Sequence, residues 1–273
     1  MDLYPPMRSP TRQGFSLVEL SIVLVILGLL VGGVLSGKAL IHAAELRAVP
    51  TEYDLYRTAV RSFRDKYFQL PGDMPNATQF WGSAGGSGLQ IDGVCNTTFP
   101  RPTPTATCNG NGDRFLDKNM GLMSEVHPFW QHLSNAGLIP GAYAGVHGAM
   151  AGGTRFFPGV NVPKSRLSSV NFWFAQGTIP AASTTTFFAE TSGNRLILGF
   201  NNGANPSISP EDAYTIDSKI DDGLPGTGVL TTTKGDGVAT FCTSVAGTLT
   251  DAGATYVLTN TKKDCTLLFP RPF

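Results

Sequence analysis

Charge is scarce in this 273-residue chain. Lys and Arg number 20, Asp and Glu number 20, together they make up 15% of the residues, and the formal net charge is zero. No basic face stands out, so nucleic-acid binding lacks its electrostatic footprint. Histidine is rare as well, with four residues, and none combines with a cysteine at zinc-ligand spacing. His127 and His132 lie five positions apart, about 140° around a helix, which does not make a good shared metal site. The cysteines, Cys95, Cys108, Cys242 and Cys265, form no CxxC. No serine or cysteine sits in a recognisable nucleophile motif, so the sequence offers no catalytic constellation and reads as non-enzymatic. Glycine (32) and proline (19) are plentiful, which implies many turns and long loops.

One long apolar run stands out. After a short polar stretch with Arg8 and Arg12, the 21 residues from Phe15 to Leu35 contain a single charge. A helix of that length spans roughly 31 Å at 1.5 Å per residue, the thickness of a bilayer core. Arg8 and Arg12 precede the run and no basic cluster follows at once, although Lys38 lies just beyond. The positive-inside rule therefore places the N-terminus in the cytoplasm and the rest outside. An ordinary signal peptide is the competing reading, and Gly32-Gly33-Val34-Leu35-Ser36-Gly37 is a poor cleavage site for one. The run is longer than a usual h-region. Glu19 also lies inside it, where a carboxylate costs about 2.5–3.5 kcal/mol at the centre and less near the interface. An acid in such a place is a functional-site candidate. Its bland alternative is a side chain that snorkels to the interface.

The eight residues Arg12-Gln13-Gly14-Phe15-Ser16-Leu17-Val18-Glu19 resemble the cleavage and methylation motif of type IV prepilins and type II secretion pseudopilins. The resemblance implies that a prepilin peptidase cuts after Gly14 on the cytoplasmic side and methylates the new N-terminal residue, Phe15. It also implies that Glu19 serves assembly with other pilin or pseudopilin subunits. The physics is plain. A staggered neighbour can bring its Phe15 amine to the Glu19 carboxylate, and each charge neutralises the other in low dielectric. The expected domains are a leader over 1–14, a helix over 15–68 that spans the membrane over 15–35, and a head over 69–273. The expected location is the inner membrane, single-pass with a periplasmic head, or an extracellular filament after assembly.

Beyond the membrane, Tyr53, Tyr56, Val60, Phe63 and Tyr67 recur at intervals of three and four, one apolar stripe that would hold the helix on a head. Pro50 should kink or break this helix, and Leu70-Pro71-Gly72-Asp73 should end it. A second helix is expected from Gly121 to Ala136, and strands at 170–175, 185–190 and 195–200, the last two joined by a turn at 191–194. Ser209 as cap and Pro210 at the first position announce a helix to Ile220. The fold class that results is α+β and pilin-like: a long N-terminal transmembrane helix with an antiparallel sheet in the head.

The head offers two kinds of candidate site. Cys95 with Cys108 and Cys242 with Cys265 are sequence-local pairs. They read as two disulfides if the head lies in an oxidising compartment, and as four reduced thiols if it does not. Four cysteines allow three connectivities, of which the local pairing is the simplest. Asn109, Asn111, Asp113 and Asp117 alternate like the start of a calcium loop. Arg114 replaces the glycine of that pattern and Met120 its final glutamate, so a polar turn of Asn and Gly is the alternative. No cofactor is required. Asp217, Asp221 and Asp222 read as solvated charges at a helix end. The reading that results is a structural subunit, a minor pilin or pseudopilin-like one. Its rival is a membrane-anchored periplasmic binding protein or adhesin whose anchor resembles a prepilin. Glu19 separates them, because a plain anchor has no use for it.

Overall fold

The computed structural model describes residues 14, 16–84, 103–116, 125–145, 156–168, 171–177, 193–199, 206–232, 241–244 and 253–273. The chain divides into two compact units, Met1–Ala44 and Glu45–Phe273. Helix α1 (Leu17–Tyr67) starts in the first and ends in the second. In the first unit its large apolar side chains from Leu17 to Ile41 are exposed. An 18-residue window there has a mean hydropathy of 2.6, with none of it buried. This stretch has the length and composition to cross a bilayer, and its own chain covers none of that window.

In the second unit α1 runs on through Pro50 without a break. A proline inside a helix costs about 3 kcal/mol or more. Here Leu46 and Val49 before it and Tyr53 and Tyr56 after it are all buried, and their packing keeps both sides helical. Val60 and Phe63 continue the stripe, as the spacing requires. Arg64 and Lys66 lie in the last turn, where positive charge favours the carbonyl end of the helix.

Among the described residues three shorter helices follow in chain order: α2 (Ala77–Trp81), α3 (Val126–Asn135) and α4 (Pro210–Ile220). Pro128 sits in the first turn of α3, where backbone N–H groups have no intrahelical partner to lose. Residues 121–124, the expected start of that helix, lie outside the described residues. Helix α4 begins as its sequence announces, with the Ser209 Oγ accepting from the Asp212 N–H at 3.2 Å and Pro210 at the first position.

Among the described residues the sheet has four strands, β1 (Phe172–Gln176), β2 (Arg195–Gly199), β3 (Thr231–Thr232) and β4 (Leu267–Pro270), in the order β1-β2-β4-β3, all antiparallel. The expected strand at 185–190 and its turn at 191–192 lie outside the described residues. The two neighbours of β2 are β1 and β4, with Trp173 opposite Leu198 and Leu196 opposite Phe269. All residues of β1 and β2 are buried, so Phe172–Ala175 and Leu196–Leu198 read as continuous apolar runs instead of alternating ones.

The outer part of α1 packs on this sheet through aromatic rings. Tyr53 stacks on Phe269 at 4.3 Å, and Tyr56 meets Trp130 of α3 at 4.9 Å and Trp173 of β1 at 5.6 Å. Each such pair adds about 0.5–1.5 kcal/mol beyond its buried area. The chain is thus α+β, a long N-terminal helix and a small antiparallel sheet.

Candidate processing and assembly site

The segment around Gly14 and Glu19 is shaped by one local device. The Ser16 Oγ accepts from the Glu19 N–H at 3.2 Å, and a Glu19 carboxylate oxygen, Oε2, accepts from the Ser16 N–H at 2.8 Å. This is a reciprocal capping box, with Ser16 before the first turn and Glu19 at its third position. The signal, Ser-x-x-Glu before an apolar run, was present in the sequence. Glu19 therefore has a task within the single chain. Its second oxygen, Oε1, takes no hydrogen bond among the described residues. Gly14 is exposed, and a Cβ placed on it would meet nothing within 4 Å. The packing of this chain does not require glycine there. Phe15, the other half of the expected cleavage pair, lies outside the described residues.

In the head, the Asn-Gly loop wraps two acids that sequence reading did not connect to it. Asp73, at the end of the Leu70-Pro71-Gly72-Asp73 turn, is buried. Its two oxygens accept from the Gly112 N–H at 2.6 Å and the Arg114 N–H at 2.7 Å. Glu125, also buried, accepts from the Asn111 N–H at 3.0 Å. Burial raises the Asp73 pKa, the two N–H groups oppose that, and the Asp113 charge adds to it. One oxygen each of Asp73, Asp113 and Glu125 lies within 4.8 Å of the others.

Of the calcium-loop candidates, Asp113 belongs to that group of acids. The Asn109 Oδ1 caps α2 by accepting from the Thr78 N–H at 2.9 Å. The Asn111 Oδ1 accepts from the Asp113 N–H at 2.9 Å, and the Asp113 Oδ1 from the Phe115 N–H at 2.8 Å. Asp117 lies outside the described residues.

Gly72 is held beside this loop. Its φ is +87°, and a Cβ there would run into the Glu125 carbonyl oxygen. The Gly72 N–H donates to the His132 Nδ1 at 2.9 Å, which leaves the His132 Nε2 to contact the Thr107 Oγ1 at 2.9 Å. His132 is wholly buried and ties three segments together.

Cys242 and Cys265 form a disulfide with a Cα–Cα distance of 5.1 Å. Cys108 is also disulfide-bonded, and Cys95, its expected mate, lies outside the described residues. A further acid unforeseen in the sequence is Glu52, buried on the stripe of α1. Its carboxylate accepts from the Ser165 Oγ at 2.8 Å, the Arg166 N–H at 2.8 Å and the Trp173 Nε1–H at 2.7 Å. Four donor and acceptor groups from distant parts of the sequence thus lock α1 to the head's interior.

Residues 10–35 match the family model described as the prokaryotic N-terminal methylation motif. This is the prepilin-type cleavage and methylation motif, and it supports a type IV pilin- or pseudopilin-like protein. The match covers Gly14, Phe15 and Glu19 and does not reach the head. No curated protein and no solved structure matches the chain.

Proposed function

We propose that the protein is a non-catalytic structural subunit, a minor pilin or pseudopilin-like one. Prepilin peptidase trims it at the Gly14–Phe15 bond, and it assembles with other pilin subunits into a type IV pilus or type II secretion filament. The observation that carries this reading is the methylation-motif match over 10–35, set on a helix whose apolar surface its own chain leaves bare.

Three features support the details. Gly14 has no packing reason to be glycine, which fits a residue selected for a peptidase. The Glu19 Oε1 is left over after the capping box is made. A neighbour's Phe15 amine can take it without undoing the first turn. In a low-dielectric setting such a charge pair favours one register, because removing one partner strands the other at a cost of about 3–5 kcal/mol. Gly28, Gly32 and Gly33 likewise have no neighbour within 4 Å of a would-be Cβ. Each lowers helix stability by about 1 kcal/mol relative to alanine, and in return each leaves room for another helix to approach closely.

For topology, Arg8 and Arg12 put the N-terminus in the cytoplasm by the positive-inside rule. The head then lies in the periplasm, where the Cys242–Cys265 disulfide is at home. The test is intact-mass and N-terminal analysis of the protein from its native membrane, with a Gly14 variant in parallel. The expected mature chain begins with N-methylated Phe15 and is absent from the variant. A chain that keeps Met1, or is cut near Ser36, would overturn the reading.

A further inference from the structure

A half-open cleft of about 470 Å³ lies in the second unit, where α1 passes the end of β4. Sites for small molecules have volumes of this order. Tyr53 and Arg57 of α1, the loop over 226–229, and Pro270 and Arg271 at the end of β4 belong to its lining. The Arg57 Nε is buried and has no hydrogen-bond partner among the described residues. Its guanidinium carbon lies 6.0 Å from the centroid of the Tyr53 ring, so the charge sits over an aromatic face. The Tyr53 hydroxyl and the Gly228 N–H donate to no group among the described residues. Burial raises the Tyr53 pKa, against the charge of Arg57, so the hydroxyl keeps its proton and remains a donor. Gly228 has a φ of +84°, and a Cβ there would run into the Asp221 carboxylate. Bare backbone is thus required at this point of the wall.

Three acids at the end of α4 stand near this loop in sequence, and each is engaged elsewhere. Asp217 reads as a solvated helix-end charge, and the structure corrects this, because it is 0% exposed. It occupies the buried stripe of α4 with Ala213 and Ile216, and its Oδ2 accepts from the Tyr256 hydroxyl at 2.7 Å. The Asp222 Oδ1 accepts from the Leu224 N–H at 2.8 Å and its Oδ2 from the Thr227 hydroxyl at 2.6 Å. The Asp221 Oδ2 accepts from the Val229 and Leu230 N–H groups. The charges of Asp221 and Asp54 reach Tyr53, as do those of Arg57 and Arg61. The described lining itself holds two guanidinium groups, Arg57 and Arg271, and no carboxylate. Buried donors without acceptors are costly, and an anion relieves both that cost and the repulsion of like charges.

We propose that this cleft binds a small organic carboxylate, with Arg57 and Arg271 taking the carboxylate and Val229 and Pro270 facing the carbon body. The planar fork of a guanidinium matches a carboxylate with two parallel hydrogen bonds. The Tyr53 hydroxyl and the Gly228 N–H are the further donors. The apolar surface of Val229 and Pro270 gives a ligand with a carbon body an advantage over a bare inorganic anion. The inference rests on the head alone and stands or falls separately from the filament reading.

The test uses the full-length chain in detergent at neutral pH and low salt. Benzoate is titrated by calorimetry, with benzamide as the neutral ligand of the same shape and inorganic phosphate as the anion without a carbon body. Single-site binding of benzoate with Kd on the order of 1 mM is expected. Benzamide and phosphate should each bind at least about tenfold more weakly. Arg57→Gln should weaken benzoate at least about tenfold and Arg271→Gln measurably, while Arg64→Gln, outside the lining, should leave it unchanged. Near-UV circular dichroism checks that each variant is folded. If Arg57→Gln is not, Arg271→Gln decides, because that side chain is exposed. No binding up to about 20 mM benzoate would overturn the proposal. So would benzamide or phosphate binding as tightly as benzoate, or benzoate binding that survives loss of either guanidinium in a folded variant.

Discussion

Replacing Asp217 by asparagine measures what the head gives up to keep a carboxylate in its interior. Burial, joined by the charges of Asp222 and Asp221, pushes the Asp217 pKa up from 3.8 to about 7, against the pull of the Tyr256 hydroxyl and the Gly223 N–H. The native state therefore holds a proton that the unfolded chain releases between those values. Stability is full below about pH 4, falls as pH rises towards 7, and is level above it. Three pH units at 1.36 kcal/mol each make the loss about 4 kcal/mol. Asparagine removes that pH dependence. It also places an amide nitrogen beside the Gly223 N–H, at a cost of about 1–3 kcal/mol. At pH 8 the variant should thus be more stable by about 1–3 kcal/mol, a rise of roughly 2–10 °C in thermal midpoint for a head of this size. At pH 4 the gain should vanish or reverse. The assay is a pair of melts at each pH, read by the fluorescence of the buried Trp130 and Trp173. A variant less stable than the parent by the same amount at both pH values would refute the reasoning, because Asp217 would then contribute only shape.

Other outcomes follow from the same contacts. Glu52→Gln turns one acceptor into a donor that faces donors from Ser165, Arg166 and Trp173. It should cost about 2–4 kcal/mol, seen as a lower midpoint, and an unchanged midpoint would refute this account of the buried acid. Gly72→Ala adds a Cβ against the Glu125 carbonyl at a positive φ. A loss of at least about 2 kcal/mol or a failure to fold is expected, read by near-UV circular dichroism. Glu19→Gln keeps a capping-box side chain and removes the charge, so helix content should hold while filament recovery falls. Ser16→Ala, by contrast, should fray the first turn at a cost of about 0.5–2 kcal/mol. Equal filament recovery from parent and Glu19→Gln would remove the charge pair from the assembly argument.

The parts of this fold written in local chemistry were legible. The apolar run, the stripe from Tyr53 to Phe63 and the Ser209-Pro210 helix start each carry their cause within a few residues. Strand β4 does not. Leu267–Pro270 is a short run whose identity as a strand depends on pairing with β2 and β3 far away in sequence. The buried acids had a subtler signal that periodicity did contain. Glu52 stands four residues before Tyr56, on the same face as Val49 and Phe63. Asp217 stands four residues after Ala213. An acid in register with an apolar stripe is an acid headed for the interior, whereas reading charges as breaks in the pattern sends both to the surface. Asp73 and Glu125 gave no such hint, because a loop contributed by residues 110–114 supplies the donors to both.

The sheet order has a consequence for how the head is made. Strand β2 lies between β1 and β4, so pairing with β1 leaves one side of it open until Leu267–Pro270 arrives. That open side presents the N–H and C=O groups of a strand containing Leu196, Ile197 and Leu198, the kind of edge on which chains mispair. Cys265 stands just before the arriving strand and is joined to Cys242. The crosslink ties the late strand to a nearby part of the chain, shortening the search by which β4 finds its slot. The interval before closure is when the head is most exposed to capture by a second unfinished copy of itself.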